Sequence, residues 1–222
     1  MKLPPSYSRP RLAARHARAE ETRAAILHAA TNIFAREGLA GARTDAIARA
    51  ACVNKALLYY YFKSKDDLYR AVLEEHLQEF SRRALEVLSQ RTPAGATVLR
   101  FATMHFDFIS ARPYYPLLFQ RFSLSGGETL RRLARRYFAP VRRRLIALLA
   151  RGIRSGEFRR VDCRHMAISL VGVTVFYFVS APIAAVIGNF NPYEAANLRR
   201  RKEEVLSFIR YGLFRHPGEV PP

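Results

Sequence analysis

The sequence has no tryptophan, only two cysteines, and 18 acidic residues against 37 Lys and Arg. Cys52 and Cys163 lie far apart and outside any CxxC spacing, which argues against a disulfide framework and suits a reducing cytoplasm. The shortage of acids leaves a formal charge of +19. Such an excess favours a polyanionic partner, either nucleic acid or an anionic membrane surface, and does not choose between them. Spacings of the HExxH, GxSxG and P-loop types are absent, and the histidines are scattered. His105 and Asp107 are two apart, so a helix points them in different directions. No catalytic residue, metal site or cofactor is expected, and the chain is not read as an enzyme. Residues 1–19 contain no acid and no apolar core of a signal peptide, but carry Pro4, Pro5 and Pro10 among basic residues. They read as a disordered basic arm.

Strand-like alternation is also nearly missing, and half of the residues are hydrophobic, enough for one large core or two modest ones. Helical spacing, with cap and turn signals, predicts about nine helices and an all-α fold. The first spans about Glu20 to Arg36, with Ile26, Ala30, Ile33 and Phe34 on one face, and ends at Gly38 and Gly41. Thr44 is read as the N-cap of a short second helix, Asn54 as that of a short third, and Ser64 as that of a long fourth. Thr92-Pro93 opens the fifth, and Pro113 precedes an aromatic sixth. A capping box at Ser125-Gly126-Gly127-Glu128 starts an Arg-rich seventh that Pro140 interrupts. Asp162 opens the eighth and Asn191-Pro192 the last, before a tail over 217–222.

Residues 44–62, TDAIARAACVNKALLYYYF, carry the functional signal. Two helices this short are not stable alone, so the first and fourth must pack against them. Ile47, Ala48, Ala51, Val53, Leu58 and Phe62 are the inward positions. The third helix then presents Asn54, Lys55, Ala56, Leu57, Tyr59 and Tyr60 outward. Two helices and a tight turn with an exposed second helix make a helix-turn-helix, whose second helix enters a major groove. Lys and Asn reach base edges or phosphates, and Tyr hydroxyls reach phosphates. Arg43, Thr44 and Lys65 sit at helix N-termini flanking that surface, where backbone N–H groups favour phosphate.

The stretch IARAACVNKALLYYYFKSKDDLYRAVL and the upstream AAILHAATNIFAREGLAGARTDAIA resemble the tetracycline-repressor (TetR) family of bacterial transcriptional regulators over about residues 20–75. The resemblance implies a helix-turn-helix DNA-binding domain at 20–66 and a helical effector-binding and dimerisation domain at 67–216. It implies backbone contacts from Thr44, Tyr59, Tyr60 and Lys65, and base reading by Lys55, Ala56 and Leu57. It further implies a homodimeric repressor in the cytoplasm, bound to a palindromic double-stranded operator and released by a small molecule. Cys52 stands where the family has a turn glycine, which requires a positive φ at some cost.

Met166–Gly188 is free of charge for 23 residues, the length of a transmembrane helix, so a membrane-associated basic protein is the alternative reading. The resemblance instead places this segment, Val171 and Val175 included, and the final helix in a subunit interface. The family also binds effectors among its middle helices, and Phe101, His105, Phe108, Phe122, Thr174 and Tyr177 are the expected pocket residues. The charge balance favours an anionic or aromatic effector. Seven arginines between Arg131 and Arg144 contain no acid among them and have no assigned role.

Overall fold

A computed structural model describes residues 9–188 and 190–219. Its described residues form two compact units that divide between Leu73 and Glu74, inside a helix.

The first unit holds α1 (Arg9–Gly41), α2 (Thr44–Ala50), α3 (Lys55–Tyr61) and the start of α4 (Lys65–Leu88). Residues 9–19, expected to be disordered, extend α1 as helix, and residues 1–8 of that arm lie outside the described residues. Gly38 leaves helical geometry at φ 70°, ψ 178°, so the expected break occurs within the last turns of α1. Ile26, Phe34, Ile47, Leu58 and Leu68 are fully enclosed, and Phe34 meets Tyr69 edge-on at 5.0 Å. This shared core supplies the stability that two seven-residue helices lack.

The second unit comprises the rest of α4, with α5 (Ala94–Ser110), α6 (Tyr115–Ser125), α7 (Gly127–Leu133), α8 (Ala139–Arg154), α9 (Cys163–Val179), α10 (Ala181–Gly188) and α11 (Ala195–Leu213). Helix α5 is central and packs on α8, α9 and α11. Two of the nine expected helices are each split, which accounts for eleven. The Arg-rich helix divides at a π-helical stretch, Ala134–Phe138, upstream of Pro140. Pro140 lies in the first turn of α8, where its missing N–H costs nothing, and the widened turn absorbs the irregularity before it. The charge-free segment divides at Ser180 into α9 and α10, bent by 56°. Pro182 sits in the first turn after the bend, and the Ser180 hydroxyl donates to the Phe176 carbonyl at 2.8 Å. Among the described residues no single helix is long and apolar enough to cross a membrane, although this bent pair meets the length and composition required.

Capping follows the sequence in three places and departs from it in four, Thr44 of the interface among them. Asn54 accepts from Leu57 N at 2.7 Å, Ser64 from Asp67 N at 3.1 Å, and Asp162 from Arg164 N and His165 N at 2.7 and 3.1 Å. Helix α7 begins at Gly127 without a side-chain cap, and Glu128 pairs with Arg131 instead. Asn191 stands four residues before α11, closing a turn by accepting from Tyr193 N. Thr92 does not cap α5. A residue more than sixty positions away does so: the Glu157 carboxylate accepts from Ala94 N and Gly95 N at 3.2 and 2.8 Å.

Glu157 belongs to a clasp that closes the second unit. Its neighbour Phe158 bridges to Phe214, just after α11, with the rings edge-on at 5.1 Å. Each ring fills a notch left by a helix glycine, Phe158 against Gly152 of α8 and Phe214 against Gly95 of α5. Burial alone would raise the Glu157 pKa. Hydrogen bonds from Gly95 N, Ser155 Oγ and Ala94 N, with the nearby Arg151 charge, outweigh it and hold the carboxyl below its ordinary range.

Candidate nucleic-acid interface

The turn between α2 and α3 is a Schellman closure. Cys52 N donates to Arg49 O at 3.1 Å and Val53 N to Ala48 O at 3.0 Å, which satisfies the last carbonyls of α2. That geometry needs a left-handed residue, and Cys52 takes it at φ 55°, the only non-glycine with positive φ among the described residues. Cys52→Gly is therefore expected to stabilise the first unit by about 0.5–1 kcal/mol, and Cys52→Val to destabilise it. Thermal melts of the three proteins check this, and a lower melting temperature for the glycine variant would contradict it.

The turn sets the direction of α3. Leu58 and Phe62 point into the core, Ala51 and Val53 are half-buried, and Asn54, Lys55, Ala56, Tyr59 and Tyr60 are exposed. Leu57 is half-buried and sits between the two sets. Tyr60 has 80% of its surface free and lies edge-on to Tyr61. Arg43, exposed, is the N-cap residue of α2 through its backbone alone. Thr44 is the first helical residue rather than the cap. Its hydroxyl instead meets the Tyr59 hydroxyl at 3.3 Å and ties the start of α2 to α3.

Two lysines are already engaged in the free chain. Lys55 Nζ lies 3.0 Å from the Asp45 carboxylate, and that hydrogen bond and charge raise its pKa. Lys65 Nζ donates to the carbonyls of Ala40 and Ala42 at 3.3 and 3.2 Å, so it also pins the end of α1. No signal in the sequence pointed to that role.

The second unit contains a cavity of about 210 Å³. Of the six expected pocket residues only His105 lines it. Phe101 stacks on His105 from the core side, and Phe108 and Phe122 are buried in packing. Thr174 is behind the wall, its hydroxyl 2.7 Å from His105 Nδ1 and 2.7 Å from the Val171 carbonyl. Tyr177 turns away and donates to the Pro192 carbonyl at 2.9 Å. The lining comes instead from Phe80, Tyr115, Phe119 and Phe138 on one side and from α8 and α9 on the other. Val171 and Val175, expected at a subunit interface, are part of that lining. Helical spacing alone does not reveal which face of a helix borders a void, because core and cavity walls have the same composition.

Burial pushes His105 down to about 4, so it is neutral in the folded chain. Its folded pKa is below the unfolded value of about 6.5, so its contribution is complete above 6.5 and is lost as pH falls towards 4. Over that interval the second unit is expected to lose on the order of 3 kcal/mol from this group. Denaturant midpoints measured across the range test it: His105→Gln should flatten the slope, and an unchanged slope would refute the assignment.

Large apolar side chains are exposed along one stripe of α9, where Ile168, which also borders the cavity, and Phe176 are 64% and 69% free, with Ser169 and Gly172 between them. Phe208 and Tyr211 of α11 are 66% and 72% free. Helix α10 adds Ile183, Val186 and Ile187. The described residues contain no group of three or more His, Cys, Asp or Glu placed to hold a metal ion.

Comparison with known proteins covers both units. The family model of bacterial regulatory proteins of the tetR family matches residues 26–72, and that of the tetracyclin repressor-like C-terminal domain matches residues 95–209. The HTH-type transcriptional repressor SCO4008 of Streptomyces coelicolor is 45% identical over 62 residues, 28% of this chain and 32% of that one. The HTH-type transcriptional regulator RutR of Escherichia coli is 29% identical over 165 residues, 74% of this chain and 77% of that one. Among solved structures, the transcriptional regulator FadR of Bacillus subtilis, in complex with stearoyl-CoA, superposes with a TM-score of 0.65 at 21% identity, over 83% of this chain and 96% of that one.

Proposed function

Since the chain belongs to the TetR family of bacterial transcriptional regulators, we infer that it is a ligand-responsive repressor that binds a palindromic operator as a homodimer in the cytoplasm. The observation that carries this reading is the exposed face of α3, held by the Schellman turn and supplied with Asn54, Lys55, Tyr59 and Tyr60. A seven-residue helix projecting these groups fits a major groove, with Lys55 at its first turn where side chains meet base edges. Tyr60 and Arg43, both exposed, would contact phosphate.

The dimer would form through the exposed stripes of α9 and α11, because several large apolar side chains left open in this way mark an association site. Gly172 has open space where a side chain would be, which allows close approach of a second helix. Twofold symmetry would then present two copies of α3 to half-sites about one helical turn apart. A ligand in the second unit could alter operator affinity only through different affinities for the bound and free arrangements. Helix α4, which is continuous across the division between the units, is the element through which that difference would act.

The deciding experiment is selection of bound sequences from random duplex DNA. Enrichment of one palindromic element is the expected result, and retention without any enriched element would refute sequence-specific binding. Within the selected site, Lys55→Ala should relax preference at one symmetric pair of positions by roughly tenfold. Tyr60→Phe should weaken all sequences alike by several-fold, the loss of one phosphate hydrogen bond in each subunit. Identical selected motifs for Lys55→Ala and the parent would reduce Lys55 to a phosphate contact.

A further inference from the structure

The cavity of the second unit has an asymmetry that the reading as a ligand-responsive regulator does not specify. One wall is an unbroken arc of rings. His105 lies 5.2 Å from Phe80, Phe80 is 6.1 Å from Phe138, Phe138 is 5.8 Å from Phe119, and Phe119 is 6.1 Å from Tyr115. The facing wall is aliphatic, from Val141 and Leu145 of α8 and Val171 and Val175 of α9. A surface so free of polar groups rewards an apolar occupant and offers nothing to replace the hydration of a sugar or a zwitterion.

The only charged residue in the lining is Arg142. It is exposed and forms no ion pair among the described residues. Nor are Arg143 and Arg144 paired; they border a shallow depression with Leu85 and Pro140. Arg142 at the apolar void, with Arg143 and Arg144 next to it along α8 but outside the lining, makes a run of like charges that is unfavourable unless an anion screens it. A buried neutral His105 does not supply a compensating charge. The volume, about 210 Å³, is below the ~300–1,000 Å³ of sites for drug-sized ligands, which limits the length of the occupant.

We propose that this cavity binds a short or medium acyl chain bearing an anionic head, with the chain along the ring arc and the head at Arg142. The proposal rests on the reading of the chain as a ligand-responsive regulator. Two sources share this chemistry, a free carboxylic acid and an acyl thioester of a phosphorylated carrier. A free acid needs Arg142 alone. A phosphorylated carrier would extend onto Arg143 and Arg144.

The test is calorimetric titration of the full-length protein, without DNA, with octanoate, octanoyl-CoA, octanol and octylamine. Both anions are expected to bind at least about tenfold more tightly than the alcohol, and the amine more weakly still. Arg142→Gln, an exposed substitution that leaves packing intact, should remove the advantage of octanoate over octanol. Val175→Phe should fill the void and abolish binding of all four. Octanol binding as tightly as octanoate, or octanoate affinity unchanged in Arg142→Gln, would overturn the proposal. Tighter binding of octanoyl-CoA that falls to the level of octanoate in Arg143→Gln/Arg144→Gln supports it with the thioester as source. Equal affinity of the two anions supports it with the free acid as source. Octanoate that binds through Arg142 yet leaves operator affinity unchanged would count against the regulatory reading while leaving the site in place.

Discussion

Phe176→Asp, alone or with Ile168→Asp, is expected to leave the protein monomeric or insoluble, and to reduce operator affinity by roughly 100-fold or more. The two residues lie eight positions apart on the exposed stripe of α9, and both keep most of their surface free within one chain. If a second subunit covers them, a carboxylate there is desolvated without a partner and opposes association. The loss at the operator follows from geometry. One dimer engages two half-sites at once, so the second contact benefits from a high effective concentration that a monomer forfeits. Sedimentation and fluorescence anisotropy read the two effects separately. Val171→Asp is the informative contrast to the Phe176→Asp single variant, since Val171 lines the cavity, as Ile168 does and Phe176 does not, and a charge at Val171 should harm ligand binding or stability rather than association. A soluble dimer with unchanged operator affinity after Phe176→Asp would place the interface elsewhere.

Phe158→Ala is expected to cost about 3–5 kcal/mol, a large part of the 5–15 kcal/mol typical of a domain. Phe158 is fully enclosed, and its ring occupies the space where Gly152 has no side chain. Truncation leaves a void between α8 and the end of α11 that rigid helices cannot collapse to fill. The complementary change has an unusual sign. Gly to Ala within a helix normally gains about 1 kcal/mol from propensity. Gly152→Ala instead drives a methyl into the Phe158 ring, so it should lose roughly 1–3 kcal/mol. In the double variant the methyl enters vacated space, and the second change should become neutral or favourable. Chemical denaturation of the four proteins gives the coupling directly, and simple additivity would show that ring and glycine do not share a notch.

The helix-turn-helix was legible because it is local. Asn54, Leu58 and Phe62 declare their roles through spacing and capping within ten residues of chain, and even the strained φ of Cys52 follows from its place in the turn. The clasp was not legible, since it joins Glu157 and Phe158 to residues some sixty positions away in each direction. Thr92 carried the better local signal for capping α5, and a tertiary carboxylate displaced it. The pocket residues fell between these extremes. The expected region was the one that holds the cavity, but Phe101, Phe108 and Phe122 became core while Phe80, Phe119 and Phe138 became wall. Facing a void is decided by a few degrees of helix rotation and by the π-helical stretch that carries Phe138, neither of which composition encodes.

The pairing of Lys55 with Asp45 bears on how such a protein would search a genome. A chain of charge +19 has reason to adhere to any duplex it meets. Lys55, however, is held by a carboxylate from the neighbouring helix before any DNA arrives. To touch a phosphate it must abandon one anion for another, an exchange with little net reward. A base edge, by contrast, would hold the ammonium by the direction of its acceptors rather than by charge. On the proposed reading Asp45 would compete with any duplex for Lys55, at right and wrong sites alike, with the small hold of an exposed ion pair.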